Sequence, residues 1–262
     1  MLSILSPSKR MSVSTSVPPL FLLANGGAMM TEPFFVKEAW QIAKKMKGYS
    51  PVELSQLLRV NPELSFSTAE RFASFRRDPL DFAVRPAILA YQGDVYRGLE
   101  AESFDQEDHL FAQDHLAILS ALYGLLRPLD KVQAYRLEMG IPLQVNGKKS
   151  LYNFWKDKIT RRLKEILAHH KIPLLVNLAS QEYASAVDTE KLGVRVITPV
   201  FKEYRNGLFR IISTYAKVAR GRMARFIIER RIDDPEELKL FDLEGYAYDA
   251  NLSSGDTWVF TR

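Results

Sequence analysis

The chain has 262 residues, of which 47% are hydrophobic and 26% are charged, values typical of a folded globular protein rather than a disordered one. Its formal net charge of +5 favours acidic partners such as nucleic acid, although many basic proteins bind no polyanion. The sequence has no cysteine, which excludes disulfides, thiolate catalysis, iron–sulfur clusters and zinc sites with cysteine ligands.

The N-terminal region predicts a short strand followed by a long loop. Residues 2–5 form the strand, and residues 12–31 are rich in serine, proline and glycine, which indicates a loop. The first residues lack the basic region of a signal peptide. The apolar run that starts at Pro19 is broken by Asn25-Gly26-Gly27 and is too short to span a bilayer. We therefore expect a soluble, cytoplasmic protein with no membrane partner.

Capping residues predict where helices begin. Ser50-Pro51-Val52-Glu53 places a capping serine before the helix, proline at its first position and glutamate at its third. The same box at Ser67-Thr68-Ala69-Glu70 predicts a helix from there to about residue 75. Further helices are predicted over residues 33–47, over residues 106–122, and over a short stretch that follows the cap at Asp234.

The two helices near Ser50 have the layout of a helix–hairpin–helix module over residues 50–76. In that module the backbone amides of the hairpin hold DNA phosphates, and the close approach normally requires glycine. The connection here, residues 59–66, contains no glycine. An ordinary pair of packed helices is therefore the alternative.

Strands are clearest in the second half of the chain. Residues 174–178 are a short apolar run that follows a proline, the pattern of a buried strand. Residues 194–204 and 208–214 flank Asn206-Gly207, the dipeptide best suited to a tight hairpin turn. Strands and helices interleave without a strict strand–helix–strand rhythm. We therefore predict a mixed α/β fold of α+β character, with helices around a mixed sheet, in a single compact domain of residues 1–262.

The hairpin and the helix predicted after it carry a concentrated basic segment. Its cations are Lys202, Arg205, Arg210, Lys217, Arg220, Arg222, Arg225, Arg230 and Arg231, against only two acidic residues between positions 202 and 231. On a helix, Lys217 and Arg220 share a side with Gly221 and Ala224, whose small size would let a phosphate backbone approach closely. This pattern favours duplex DNA bound without sequence preference. The alternative is a solvated helix face whose arginine stems cover the core.

Polar side chains also follow two predicted strands directly. Ser6 and Lys9 come after the first strand, and Asn177, Ser180 and Glu182 come at the end of the strand at Leu174. Because polar groups just past strand ends often line a ligand crevice, these residues are candidates for a pocket. There Lys9 would meet an anion and Glu182 would act as an acid or base. The alternative is that Ser180 only caps a short helix and Lys9 is solvated.

The sequence lacks the motifs of the common cofactor, metal and catalytic sites. The histidines, at positions 109, 115, 169 and 170, have no metal-ligand spacing, and no dinucleotide-binding, Walker-type, nucleophile-elbow or HExxH pattern occurs. Asp94 and Glu138 are isolated carboxylates, for which pairing with an arginine is a commoner role than catalysis. We therefore expect no cofactor and no metal.

Several stretches, in order along the chain, are together specific to one family. They are Leu5-Ser6-Pro7-Ser8-Lys9, residues 87–96 (AILAYQGDVY), residues 122–130 (LYGLLRPLD), residues 135–140 (YRLEMG), residues 176–180 (VNLAS) and residues 215–231. On these motifs the chain resembles the YaaA family of bacterial proteins over essentially its whole length. Residues 10–33 diverge from the family pattern.

The resemblance implies a mixed α/β fold with a helix–hairpin–helix element and a positively charged cleft that binds duplex DNA. It also implies a role in surviving hydrogen peroxide, associated with low free intracellular iron and less oxidative DNA damage. Binding without catalysis is thus the leading hypothesis for this chain. An enzyme acting on a nucleotide or nucleobase, in a pocket near Lys9 and Ser180, is the alternative.

Overall fold

The computed structural model describes residues 1–12, 29–80 and 83–262. Most of the predicted loop over residues 12–31 lies outside these ranges. The strands are β1 (Leu2–Leu5), β2 (Arg10–Met11), β3 (Arg85–Pro86), β4 (Tyr91–Gln92), β5 (Leu116–Ser120), β6 (Gly124–Leu126), β7 (Lys131–Val132), β8 (Leu174–Asn177), β9 (Arg195–Arg205), β10 (Leu208–Arg210), β11 (Ala247–Ser254) and β12 (Thr257–Thr261).

Helices connect and cover these strands. The α-helices are α1 (Val36–Lys47), α2 (Pro51–Leu58), α3 (Pro62–Ser74), α4 (Ala87–Ala90), α5 (Asp94–Leu99), α6 (Gln106–His115), α7 (Leu151–Leu167), α8 (Gln181–Ala184), α9 (Thr189–Leu192) and α10 (Ser213–Glu229). Short 3₁₀ helices cover Ala101–Ser103, Pro235–Leu240 and Leu243–Gly245. No helix in the described ranges combines the length and apolar character that a bilayer span requires.

The main sheet is mixed, as predicted. Its strand order is β11-β12-β9-β8-β1-β5-β6, and β10 pairs with β9. The five neighbours from β12 to β5 are parallel, whereas β11, β6 and β10 run antiparallel to their partners. Strands β1 and β5 are buried along their whole length, because both faces of the sheet centre are covered. The mixed α/β fold is thereby confirmed.

Three predicted helices have different bounds. The helix predicted over residues 33–47 begins at Val36. The helix predicted over residues 106–122 ends at His115, and the apolar residues 116–120 form β5, which pairs with β1 in parallel register. The box at Ser67 does not begin a helix. Helix α3 begins earlier, at Pro62, because the Asn61 side chain accepts a hydrogen bond from the Leu64 amide at 2.9 Å. The prediction at Ser67 is therefore wrong.

Local turn and cap chemistry predicted other features correctly. Ser50 and Glu53 form the reciprocal capping box at the start of α2. Asn206 and Gly207 form the hairpin turn between β9 and β10, with φ angles of 51° and 81°. The second strand of that hairpin ends at Arg210 rather than Thr214, because helix α10 already begins at Ser213.

Candidate functional site

A cleft of about 490 Å³ opens at the carboxyl ends of β1 and β8. Ser6 directly follows β1, Ser180 lies just after β8, and α10 forms part of the opposite wall. The cations that line the cleft are Lys9, Arg10, Arg136, Lys217 and Arg220, and the carboxylates that line it are Asp94 and Glu182. The structure thus brings the two predicted strand-end loops together with one face of the basic helix.

Ser6 and Ser180 join the two strand ends. The Ser6 hydroxyl donates a hydrogen bond to the Ser180 hydroxyl at 3.1 Å, and the Ser180 amide donates to the Ser6 hydroxyl at 2.8 Å. Ser180 makes no side-chain cap to helix α8, so capping is not its role here. Asn177, by contrast, does not line the cleft, and its side-chain oxygen accepts from the amide of Ala179 at 3.1 Å.

Three arginines of the cleft, Arg10, Arg136 and Arg220, have no carboxylate partner in the described parts of the chain, and the last two are half-buried. Arg220 is half-buried, and this burial lowers the pKa of its guanidinium. Arg136 is also half-buried, and its Nε is shielded from solvent without a hydrogen-bond partner. Within the described residues its side chain donates one hydrogen bond, to the carbonyl oxygen of Lys9, which is long at 3.5 Å. A desolvated and unpaired guanidinium is costly, and a bound anion would offset that cost.

Three other charged groups of the cleft are engaged within the protein. Lys9 forms an ion pair of 2.6 Å with Glu138, and Asp94 forms one of 3.1 Å with Arg97. Both lone carboxylates therefore have the predicted ion-pair role, although the partner of Glu138 is a lysine. The Glu182 carboxylate accepts a hydrogen bond from the Gly140 amide at 3.1 Å.

Tyr183 lines the cleft as a neutral phenol. It is buried, and desolvation raises its pKa well above its ordinary value, with Glu182 adding to the shift. At neutral pH it is therefore a hydrogen-bond donor and not a nucleophile.

Arg222 and Arg225 do not line the cleft and are held by carboxylates. Arg222 donates two hydrogen bonds to the Glu100 carboxylate, at 2.8 and 3.0 Å, in a bidentate ion pair. Arg225 pairs with Glu229 at 2.6 Å and donates to the Ser103 hydroxyl at 2.8 Å. Their charges are thus largely neutralised, and the hydrogen bonds from Arg222 hold the pKa of Glu100 below its ordinary value. For these two cations the structure favours an internal role over the predicted contact with DNA.

Gly221 also has a different role from the predicted one. It is buried against α5, where a Cβ would overlap the carbonyl oxygen of Val95 and lie 2.7 Å from the amide nitrogen of Leu99. Gly98 of α5 faces α10 in the same way, since its Cβ would overlap the carbonyl oxygen of Val218. The small residue allows a close approach, as the sequence suggested, but the approaching group is another helix rather than a phosphate backbone.

The hairpin cations do not line the cleft. Lys202 lies on β9, and Arg205 and Arg210 are exposed at the hairpin, which precedes α10. The same hairpin exposes Tyr204 and Phe209, whose rings lie 5.2 Å apart. It is therefore a separate basic and aromatic surface, joined to the cleft through the first turns of α10.

Helix α2 and Arg59, which follows it, border a neighbouring groove. Arg59 lies between α2 and α3 with a left-handed φ of 52°, so a non-glycine residue makes the turn. This groove and the cleft share Glu182 as a lining residue. The predicted pair of helices is present, but nothing in it marks a phosphate site.

Sequence reasoning missed two of the cations in the cleft. Arg10 follows the predicted Ser6–Lys9 loop directly, and Arg136 lies in the stretch YRLEMG that carried the family resemblance. In the sequence, the only indication that Arg136 could belong to a site was its position two residues before Glu138 in that stretch. In the parts of the chain that the structure describes, no group of three or more histidine, aspartate and glutamate side chains could hold a metal ion.

Comparison with known proteins agrees with the motifs. A family model described as peroxide stress protein YaaA matches residues 1–252. A UPF0246 protein of Paracidovorax citrulli is 44% identical over 262 residues, which is 100% of this chain and 98% of that protein. UPF0246 proteins of Ralstonia nicotianae and Ruegeria pomeroyi are 43% and 44% identical over 262 residues each, 100% of this chain and 99% and 98% of their own lengths. The chain belongs to the YaaA family of peroxide stress proteins.

Proposed function

We propose that this peroxide stress protein binds duplex DNA through the basic cleft and thereby helps to limit oxidative DNA damage and free iron. The observation that carries the proposal is the half-buried pair Arg136 and Arg220, which has no carboxylate partner in the described ranges. Cations held in this way favour an external polyanion, because the protein itself does not neutralise them.

The charge balance of the cleft supports the same conclusion. Five cations line it against two carboxylates. Lys9 pairs with Glu138 and Asp94 pairs with Arg97, both partners lying outside the lining, which leaves four cations against one carboxylate. Lys217 is exposed at the mouth, one helical turn from Arg220, so both can reach phosphates of one strand.

The hairpin would extend this contact beyond the cleft. Lys202, Arg205 and Arg210 form no ion pair with a carboxylate in residues 1–12, 29–80 and 83–262, unlike Arg222 and Arg225. The hairpin is joined to α10 by two residues, and Lys217 lies roughly 6 Å along the helix axis from its first residue. We expect these cations to add phosphate contacts and little sequence preference.

The test compares two arginines on one helix. Arg220→Gln and Arg222→Gln each remove one positive charge from α10, but only Arg220 is unpaired. By fluorescence anisotropy with duplex DNA, Arg220→Gln should weaken binding about tenfold, the effect of one lost charge-assisted hydrogen bond. It should also reduce the slope of log affinity against log salt by roughly 0.9. Arg222→Gln should change neither quantity appreciably.

Two results would contradict the proposal. One is equal loss of affinity in both variants, which would mean that overall charge and not the cleft attracts DNA. The other is no salt-dependent binding of duplex DNA by the unmodified protein. The cellular part has its own test in a strain that lacks its family member. There Arg222→Gln should restore survival in hydrogen peroxide and low free iron, and Arg220→Gln should not.

A further inference from the structure

The cleft lies at a particular point of the sheet topology. From β1 the chain crosses to β5 on one side, and the later parallel strands β8, β9 and β12 follow on the other side. Between β1 and β8, the connections to the next parallel strands therefore lead in opposite directions across the sheet. In open sheets of this kind, small ligands bind outside the carboxyl ends of the two strands at which the direction reverses. Ser6 and Ser180 occupy those two ends.

The groups at this point suit a phosphate monoester. The Ser180 hydroxyl oxygen accepts a hydrogen bond from the Ser6 hydroxyl, so the Ser180 hydroxyl can donate its own hydrogen bond to a ligand. Arg136 and Arg220 line the same cleft, and neither forms an ion pair within the described ranges. Guanidinium groups recognise phosphate with paired donors, and a terminal phosphate offers more charge and more acceptors than a backbone diester.

The size and remaining lining of the cleft fit one nucleotide. A volume of about 490 Å³ lies in the range of small-molecule sites. Pro7, Val95 and Leu178 supply apolar surface for a base, and the Asp94 and Glu182 carboxylates can accept hydrogen bonds from its exocyclic amino group.

From this arrangement we infer that the cleft binds a single nucleotide by its terminal phosphate, held by Arg136, Arg220 and Ser180. The nucleotide is either free in solution or the 5′-phosphorylated end of a DNA strand, since both present the same chemistry. The inference goes beyond the proposed binding of duplex backbone and does not require it.

Isothermal titration calorimetry of the full chain tests the inference. The probes are the four deoxynucleoside 5′-monophosphates, the matching nucleosides, inorganic phosphate, and a single-stranded oligonucleotide with and without a 5′-phosphate. At least one monophosphate should bind about tenfold or more tightly than its nucleoside and than inorganic phosphate, as expected when both ends of the ligand are recognised. Arg136→Gln and Ser180→Ala should each weaken this binding severalfold, with Arg222→Gln as the unchanged control.

The outcomes separate the two ligand sources and the two proposals. Binding of free monophosphates assigns the site to a free nucleotide. Binding only of the phosphorylated oligonucleotide assigns it to a DNA end. Equal affinity for phosphate and nucleotide, or no preference for a 5′-phosphate in any probe, would overturn the inference. Circular dichroism spectra of the variants should match that of the unmodified protein, which distinguishes lost binding from a folding defect. Monophosphate binding without binding of an unphosphorylated duplex would overturn the proposed function alone.

Discussion

Substituting Gly221 by alanine should destabilise the protein, because α5 and α10 cross at this residue. A Cβ at position 221 would overlap the carbonyl oxygen of Val95 and lie 2.7 Å from the amide nitrogen of Leu99. Both are backbone atoms of α5, so no side-chain rotation relieves the clash. The helices must move apart, and Val95, which lines the cleft, must move with α5.

The size of this loss in stability follows from two opposing effects. Overpacking of a rigid core typically costs about 1–3 kcal/mol, and an obstacle made of backbone belongs at the upper end. Alanine regains about 1 kcal/mol because it favours the helix over glycine. The net loss in the free energy of unfolding should be ~2 kcal/mol, which in a chain of this size lowers the midpoint of thermal unfolding by roughly 4–8 °C.

Urea and thermal unfolding followed by circular dichroism measure this loss, with Gly48→Ala as the matched control. Gly48 has a right-handed helical backbone, and a Cβ there would meet only the Lys45 carbonyl oxygen, at 3.4 Å. That control should be neutral or stabilising by up to about 1 kcal/mol. Equal stability of the Gly221→Ala and Gly48→Ala variants would refute the reasoning about the helix crossing.

Two further predictions concern stability. His109 is buried, and desolvation lowers its pKa to about 4 from 6.5, so between these pH values the unfolded chain binds a proton that the folded protein does not. The free energy of unfolding should therefore fall as pH is lowered from 6.5 to 4, and this residue should account for on the order of 2–3 kcal/mol of that fall. Urea unfolding at both pH values should show a smaller pH-dependent loss of stability in His109→Phe than in the unmodified protein. The same loss in both proteins would contradict this reasoning. Ser50→Ala should lower the free energy of unfolding by about 1 kcal/mol because it removes the capping box of α2. Ser67→Ala should be neutral or slightly stabilising, since Ser67 lies inside α3; a loss equal to that of Ser50→Ala would restore the predicted cap at Ser67.

Features that depend on neighbouring residues alone were predictable from the sequence. The turn at Asn206-Gly207 and the cap at Ser50 follow from local backbone preferences, which the rest of the molecule does not override. Residues 116–120 show where such reasoning fails. A short apolar run is compatible with a helix or a buried strand, and only its pairing with β1 makes it β5.

Some of the residues that line the cleft were predictable from the sequence. The residue types and the strand-end positions of Ser6, Lys9, Ser180 and Glu182 pointed to a pocket, and the structure places all four around one cleft. The sequence could not distinguish Arg220 from Arg222. They are two residues apart, and what separates them is Glu100, more than a hundred positions away in the chain. Long-range ion pairs of this kind leave no local signal.

The contact between Arg222, Arg225 and Glu100 has a consequence for how such a surface can change. Glu100 ends α5 in a left-handed conformation and restrains two guanidinium groups at once, at 2.8 Å and 3.7 Å. Replacing this one acid by a neutral residue would release positive charge toward solvent without adding a basic residue anywhere. Electrostatic attraction for polyanions can thus be tuned by acids at the edge of α10, so a count of lysines and arginines is a poor guide to the strength of that attraction.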